Sequence, residues 1–407
     1  MIRKTKTTSL LLATGLATLA MQLPAFALDA DAFIDRIESV YKVMGYDLDF
    51  GPATLDGNTI TVDGVVVGFT GGDEIDPMDV DTVLTFEGVI EHDDGSYSAE
   101  SLRVPDVNSV FGDEVRGELS LTGIVAEGLW LPPEGQTDAV SLMQTVERVA
   151  TGPLLVKRDG AEVIKYDGLD YVSSFGFNGD DLETIDTDFI ISNIWADLST
   201  VGEEEPEAGA IIEALGLTII DGNINQIATW NLVTGDFVMD EFSLDFANIG
   251  ALNIAMDLRG FTAAVLDKIY AMQSEDIDFT TEEGQAKQMM LGMEMAQAIS
   301  IGGASVRYDD AGLVGRALDF FAGQSGVARA QFVEVIKPAI PEMINQAGIP
   351  ELTAMVTPAA ESFLDDPQSL EVSVKPASPT SFLVLAAAAA NPAGLIKALN
   401  LAVTANQ

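Results

Sequence analysis

Ile60-Thr61-Val62-Asp63-Gly64-Val65-Val66-Val67-Gly68-Phe69 carries the pattern that decides the fold. Apolar residues alternate at 60 and 62, slip by one position across Asp63-Gly64, and alternate again at 65, 67 and 69. Strict alternation points every second side chain to one face of a strand. The interruption throws the second half onto the opposite face unless the chain absorbs an extra residue. A β-bulge or sharp bend does this, and glycine or asparagine tolerates the backbone angles required. The unit therefore reads as one long bent strand or as two short strands meeting at a corner. A tight hairpin at the Asp-Gly is the competing reading.

The same arrangement recurs along the chain. Leu119 and Leu121 precede Thr122-Gly123 and Ile124; Ile164 and Tyr166 precede Asp167-Gly168 and Leu169. Phe189 and Ile191 are followed by Ser192-Asn193 and Ile194, and Phe237 and Met239 by Asp240-Glu241 and Phe242. Ile299 and Ile301 flank Gly302-Gly303 with Ala304, and Tyr97 and Ala99 lead through Glu100-Ser101 to Leu102. Residues 46–260 thus read as a strongly curved antiparallel sheet with one apolar face. The spacing is irregular, so a solenoid of fixed period is not expected. That face is either the core of the sheet or a groove for a ligand.

Helical periodicity interrupts the strands. Residues 31–44 place Phe33, Ile37, Val40, Tyr41 and Met44 on one stripe, with Asp31 as cap and Gly45 as stop. Thr137 caps a run through Val140, Met143, Val146 and Ala150 that Gly152-Pro153 ends, and a short helix is expected over Ala208 to Leu215. The acids before that helix, Glu203 to Glu207, suit its first turn. From about residue 261 the chain becomes mainly helical, with stripes at Val265, Leu266, Ile269 and Tyr270, at Met289, Met290, Met293 and Ala296, and at Leu313, Ala317, Leu318 and Phe321. The methionines form a core stripe or an adaptable hydrophobic site. Segments 325–347 and 350–364 follow, broken by Pro338, Pro341 and Pro350, and Phe382 to Ala390 reads as a buried alanine-rich helix. Strands return at Leu370-x-Val372-x-Val374 and Leu399-x-Leu401-x-Val403. The expected fold class is α+β: a strongly curved antiparallel β-sheet with bulged repeated strands, and a largely helical C-terminal region packing on it. The expected division is a signal peptide over 1–27, a β-rich region with its N-terminal helix over 28–260, and a mainly helical region over 261–407.

Arg3, Lys4 and Lys6 precede an apolar core from Leu10 to Leu23, and Ala25-Phe26-Ala27 has the small-x-small form that signal peptidase accepts. That core is shorter than the roughly 20 residues a spanning helix needs. A cleaved leader and a periplasmic protein without an integral span are expected. The full chain has 20 basic and 64 acidic residues; without the three basic residues of the leader, 17 face 64, a net charge of −47. This repels nucleic acid, which is excluded as a partner, and anionic surfaces within a Debye length. There is no cysteine, so burial alone holds the fold.

The residue inventory removes several chemistries. Without cysteine there is no thiol nucleophile, and the single histidine, His92, cannot form a histidine zinc site. His92 lies in Glu91-His92-Asp93-Asp94-Gly95, which reads as a hairpin tip. No Gly-x-Ser-x-Gly elbow or phosphate-binding Gly-x-x-x-x-Gly-Lys loop is present. The densest acidic segment, 73–81, makes Asp73, Asp76, Asp79 and Asp81 calcium candidates. It lacks the central glycine and closing glutamate of an EF-hand, so a solvated acidic loop is the alternative. No other cofactor is indicated. Acidic pairs such as Asp180-Asp181 and Asp309-Asp310 leave a carboxylate-based hydrolase open.

The bent apolar strands over 46–310, ending in Ser305-Val306-Arg307-Tyr308-Asp309-Asp310-Ala311-Gly312-Leu313, resemble periplasmic proteins of proteobacteria and, in style, the AsmA-like group. The resemblance implies a curved β-groove that handles lipid at the cell envelope. It departs at the leader, where AsmA-like proteins usually keep a membrane anchor, and it carries no site residues across. A non-enzymatic periplasmic protein that binds lipid or another hydrophobic partner on its sheet is the expectation. An envelope interaction protein acting through its acidic surface is the main alternative.

Overall fold

Asp29 opens the first helix. Its carboxylate accepts from the backbone N–H groups of Asp31 at 3.0 Å and Ala32 at 3.3 Å, so Asp29 and not Asp31 is the cap of α1, Ala30–Val43. Phe33, Ile34, Ile37 and Val40 form the buried stripe of that helix. This computed structural model describes residues 28–69, 77–112, 115–179, 181–274, 281–346 and 348–407. The leader, Asp73, Asp76 and Asp180 lie outside the described residues.

After α1 come strands β1 Tyr46–Phe50, β2 Ala53–Asp56, β3 Thr59–Phe69, β4 Met78–Glu87, β5 Ile90–Glu91, β6 Tyr97–Val104, β7 Val107–Phe111, β8 Gly117–Leu121 and β9 Ile124–Leu131. A short helix α2, Ala139–Met143, leads into β10 Arg148–Thr151, β11 Leu154–Arg158, β12 Ala161–Tyr166, β13 Gly168–Asn178 and β14 Asp181–Asp197. Helices α3 Val201–Glu204 and α4 Pro206–Ala214 precede β15 Ile219–Asn231, β16 Asp236–Phe246 and β17 Gly250–Arg259. Helices α5 Ala263–Ser274 and α6 Glu282–Ala298 then lead to β18 Ser300–Asp310, followed by α7 Leu313–Gln324, α8 Arg329–Ile336, α9 Ala339–Asn345 and α10 Pro350–Asp365. The last elements are β19 Ser369–Val374, β20 Thr380–Ser381, α11 Phe382–Ala388, α12 Pro392–Leu399 and β21 Ala402–Ala405.

Every pairing is antiparallel, and the strands form one wide meander almost in chain order. The spine runs β3, β4, β6, β9, β10, β13, β14, β15, β16, β17, β18, β19, β21. Strands β7, β8, β11 and β12 continue β6, β9, β10 and β13 beyond a line of bends, and β14 pairs with both β13 and β12. The sheet is not closed into a barrel.

The bends settle the choice between bent strand and hairpin. Opposite Asn223, β14 places two residues, Ser192 and Asn193, and its register against β15 shifts there. Asn193 takes φ 53°, its N–H donates to Asn223 Oδ1 at 2.9 Å, and its amide donates to Asp167 Oδ2 at 2.7 Å. Asp240-Glu241 bulges from β16 against β17, and Gly302 from β18. At Gly64, φ 87°, the register shifts against β4. Thr122-Gly123 is a corner where β8 hands over to β9, tied to the next corner by Gly152 N–H donating to Thr122 O at 2.8 Å. None of these units is a hairpin. The Tyr97 copy departs from the pattern: β6 keeps one register with β9 through Glu100-Ser101, and the irregularity sits across from it at Gly128, φ 63°. Asn193→Val puts a β-branched side chain at positive φ, costing about 1–2 kcal/mol, and removes the side-chain bond to Asp167 while the backbone bond to Asn223 remains. A loss of about 2–3 kcal/mol in urea unfolding is expected.

Other expectations need correction. Helix α2 ends at Met143 and is capped by Asp138, not Thr137, because Arg148 to Ala150 pair with both β9 and β13; two ladders outweigh a weak helical spacing. Leu399 ends α12 and Asn400, at φ 47°, stops it, so β21 begins only at Ala402. Pro206 starts α4 two residues before the expected position, as proline at a first turn permits. Helix α11 exists, but none of its residues is buried.

Two clusters hold the sheet to its helices. Under α1, Phe33, Ile34 and Ile37 pack with Ile60, Val62, Leu84, Phe86, Tyr97 and Leu131. Under α2 and α5, Leu182, Ile185, Trp230 and Leu232 pack with Met143, Phe237, Phe261 and Leu266. Trp230 stacks on Phe261 at 4.9 Å and donates to its carbonyl at 2.6 Å.

Candidate functional site

Following directly opposed residues from strand to strand traces one row across the whole sheet. It runs Leu55, Ile60, Phe86, Leu102, Ala126, Val149, Tyr171, Phe189, Gln226, Phe242, Ile254, Val306, Val372, Val403. Apart from Gln226, each of these side chains is apolar or, for Tyr171, an aromatic ring. Alternation puts the row next to it on the opposite face. That second row reads Asp170, Ile190, Asn225, Ser243, Asn253, Arg307, Glu371, Thr404, and it is mainly polar.

Cover on the apolar row varies along its length: Leu55 at its first edge is 42% exposed and Val403 at its last is half-buried. Ile60 is 0% and Phe86 1% exposed beneath α1. Tyr171, Phe189, Phe242 and Ile254 are only half-buried, and Val306 and Val372 are 45% and 43% exposed. Beside the row, the face is plugged at one flank by the Trp230 cluster and at the other by α10, which packs on β19 and β21. The stretch Tyr171 to Val372 spans seven strands, so its six spacings extend about 29 Å. This is a partly exposed apolar track between two covered flanks.

Tyr308 marks the α10 flank. Its ring lies 6.5 Å from that of Phe363, and its hydroxyl donates to Ile249 O at 2.6 Å and reaches Asp310 Oδ1 at 3.0 Å. Burial, and then the Asp310 carboxylate, push its phenol above the ordinary value of 10. A raised folded pKa gives stability that is intact below the unfolded pKa of about 10 and is lost as pH rises toward the folded value. Tyr308→Phe should therefore lower stability by about 1 kcal/mol at neutral pH and reduce the alkaline loss, read by urea unfolding between neutral and alkaline pH.

The polar face is organised by arginines, each gripped by two acids. Arg148 meets Glu127 at 2.7 Å and Asp170 at 2.8 Å; Arg259 meets Asp257 at 2.7 Å and Asp236 at 2.8 Å; Arg307 meets Asp309 at 2.6 Å and Glu371 at 3.4 Å. All three guanidinium groups are held above their usual pKa, first by side-chain hydrogen bonds to those acids. These pairs are about a third exposed or more, so they organise the face more than they stabilise the fold. A shallow depression of about 410 Å³ lies on this side, bordered by Asp240, Asp257, Ser305, Glu371 and Lys375.

Of the calcium candidates, Asp73 and Asp76 lie outside the described residues. Asp79 and Asp81 lie on β4 by backbone, with Asp79 opposite Val66. Among the described residues, no group of three or more His, Asp or Glu is placed to hold a metal ion. His92 is an exposed turn residue whose Nε2 lies 2.9 Å from Ser98 Oγ. The expected methionine core stripe is instead open, with Met289, Met290 and Met293 exposed by 66%, 56% and 52%. Sequence reasoning missed Gln226 and the row itself, because a row is set by register between strands and each strand shows only its own alternation.

A family model described as an uncharacterized protein matches residues 243–406. The matched segment runs from within β16 through β21 and so includes the exposed part of the row. No curated protein matches the chain.

Proposed function

We propose that this protein is an exported, non-enzymatic lipid binder that holds acyl chains along the row from Tyr171 to Val372. One observation carries the reading: an in-register row, apolar but for Gln226, that is buried under α1 at Ile60 and Phe86 and exposed at Val306 and Val372. The roughly 30 Å hydrocarbon core of a bilayer holds two acyl chains end to end, so the stretch of about 29 Å is longer than a single such chain. Extended chains laid across the strands fit within that length. Each Å² of apolar surface so removed from water contributes about 25 cal/mol. Gln226 is the polar group within the row, and its amide can hydrogen-bond an ester or headgroup and fix the ligand's position. The polar face with its arginine–acid pairs stays in water.

Export to the periplasm belongs to the same proposal. It is supported by the basic head, the Leu10–Leu23 core and the Ala25-Phe26-Ala27 site. Among the described residues no helix is long and apolar enough to cross a membrane.

Native mass spectrometry and solvent extraction of protein purified from its own envelope test the reading. Co-purified lipid, displaced by a fluorescent fatty acid, is expected. A folded protein that carries no lipid and takes up no such probe would overturn it.

A further inference from the structure

Acidic residues number 64 in the 407-residue chain, yet residues 372–407 contain none and carry Lys375 and Lys397. Both lysines are exposed. The same segment holds α11, whose first residues Phe382, Leu383 and Val384 are exposed by 40%, 39% and 53%. Helix α6 packs against α11 and adds the exposed Met289, Met290 and Met293. Glu294, on the same helix, is paired with Lys268 at 2.7 Å.

The position of this patch is fixed by the sheet. Strand β20 pairs Ser381 with Ser300 and Thr380 with Ile301, and Phe382 N–H donates to Ile299 O at 3.1 Å. Helix α11 therefore starts beside the first residues of β18, the strand that carries Val306 in the apolar row. The row's last members, Val372 and Val403, belong to the acid-free segment itself.

We infer that this lip docks on the surface of a phospholipid bilayer. Phe382, Leu383, Val384 and the three methionines enter the interface, and Lys375 and Lys397 meet lipid phosphates. Charge distribution selects the bilayer. Docking elsewhere on so acidic a chain brings many carboxylates against phosphates, whereas segment 372–407 brings lysines and no acid, and Glu294 beside it on α6 is already neutralised by Lys268. Short apolar helix faces with flanking lysines suit the headgroup boundary, where they lie in the interface without spanning it. Docked there, the exposed part of the row faces the lipid source, and a chain slides between bilayer and sheet with little exposure to water. The inference extends the lipid-binding reading, and docking and loading are measured separately.

Flotation of the full purified chain with phosphatidylcholine vesicles tests it. Wild type is expected to float. Phe382→Asp with Val384→Asp should cut the floated fraction by about tenfold or more, since two apolar contacts are lost and two charges are placed at the interface. Circular dichroism and thermal unfolding should stay unchanged, because both positions are exposed. Lys375→Glu with Lys397→Glu should weaken flotation severalfold. Val306→Asp with Val372→Asp should float like wild type while losing lipid. Normal flotation of wild type without any lipid loading would count against the proposed function and leave docking standing. Wild type that stays at the bottom, or a Phe382→Asp/Val384→Asp protein that floats as well as wild type, would overturn the inference. So would a wild-type dimer that does not float and that this double variant converts to monomer, since the lip would then be a self-interface.

Discussion

Phe33→Ala is expected to destabilise the protein by about 3–5 kcal/mol, read as a fall in the urea midpoint. Phe33 is 1% exposed. Its ring meets those of Phe86 edge-on at 5.1 Å and Tyr97 at 5.5 Å, so truncation leaves a cavity that three surrounding elements cannot all close. These contacts also join α1 to the sheet over the covered part of the row. Loosening the helix uncovers Ile60 and Phe86, so the variant should bind more hydrophobic dye than wild type before it unfolds. A change below about 1 kcal/mol, the range of ordinary surface substitutions, would mean that α1 does not plug the sheet as described.

Val306→Asp combined with Val372→Asp should abolish lipid uptake at a folding cost of about 1 kcal/mol, from two like charges set directly opposite each other. The two valines face each other across β18 and β19 and are exposed by 45% and 43%, so carboxylates at these positions remain in water when the row is empty. With a chain lying on the row, both carboxylates must be desolvated without partners. That costs several kcal/mol, enough to weaken fatty-acid binding by about a hundredfold or more. Retained binding in the folded variant would place the ligand elsewhere. Control substitutions at Ser305 and Ser373, one residue along on the polar face, should leave binding unchanged.

Much of this architecture is readable from single strands. A slip in period-2 alternation forces an extra residue, and the structure places that residue at Ser192-Asn193, Asp240-Glu241 and Gly302. The failures have physical causes. At Tyr97 the partner strand takes up the irregularity through Gly128, which one strand's pattern cannot show. Between Val146 and Ala150 a helical spacing yields to pairing with two neighbours. The methionines of α6 and the apolar start of α11 look like core stripes because amphipathicity records which side is apolar without recording whether anything covers it. The candidate site is harder to read for a related reason. Phe189 and Phe242 stand out within their own strands, but their alignment through Gln226 into one row depends on two registers that only the assembled sheet sets.

Site-specific photo-crosslinking in the native envelope tests the central claim most directly. A photoreactive residue at position 306 lies in the apolar row, and one at 305 points to the opposite, polar face of the same strand. Lipid adducts, identified by mass spectrometry, are expected from position 306 and not from 305. Equal labelling from both positions, or no lipid adduct from 306 in a protein that folds normally, would contradict the account.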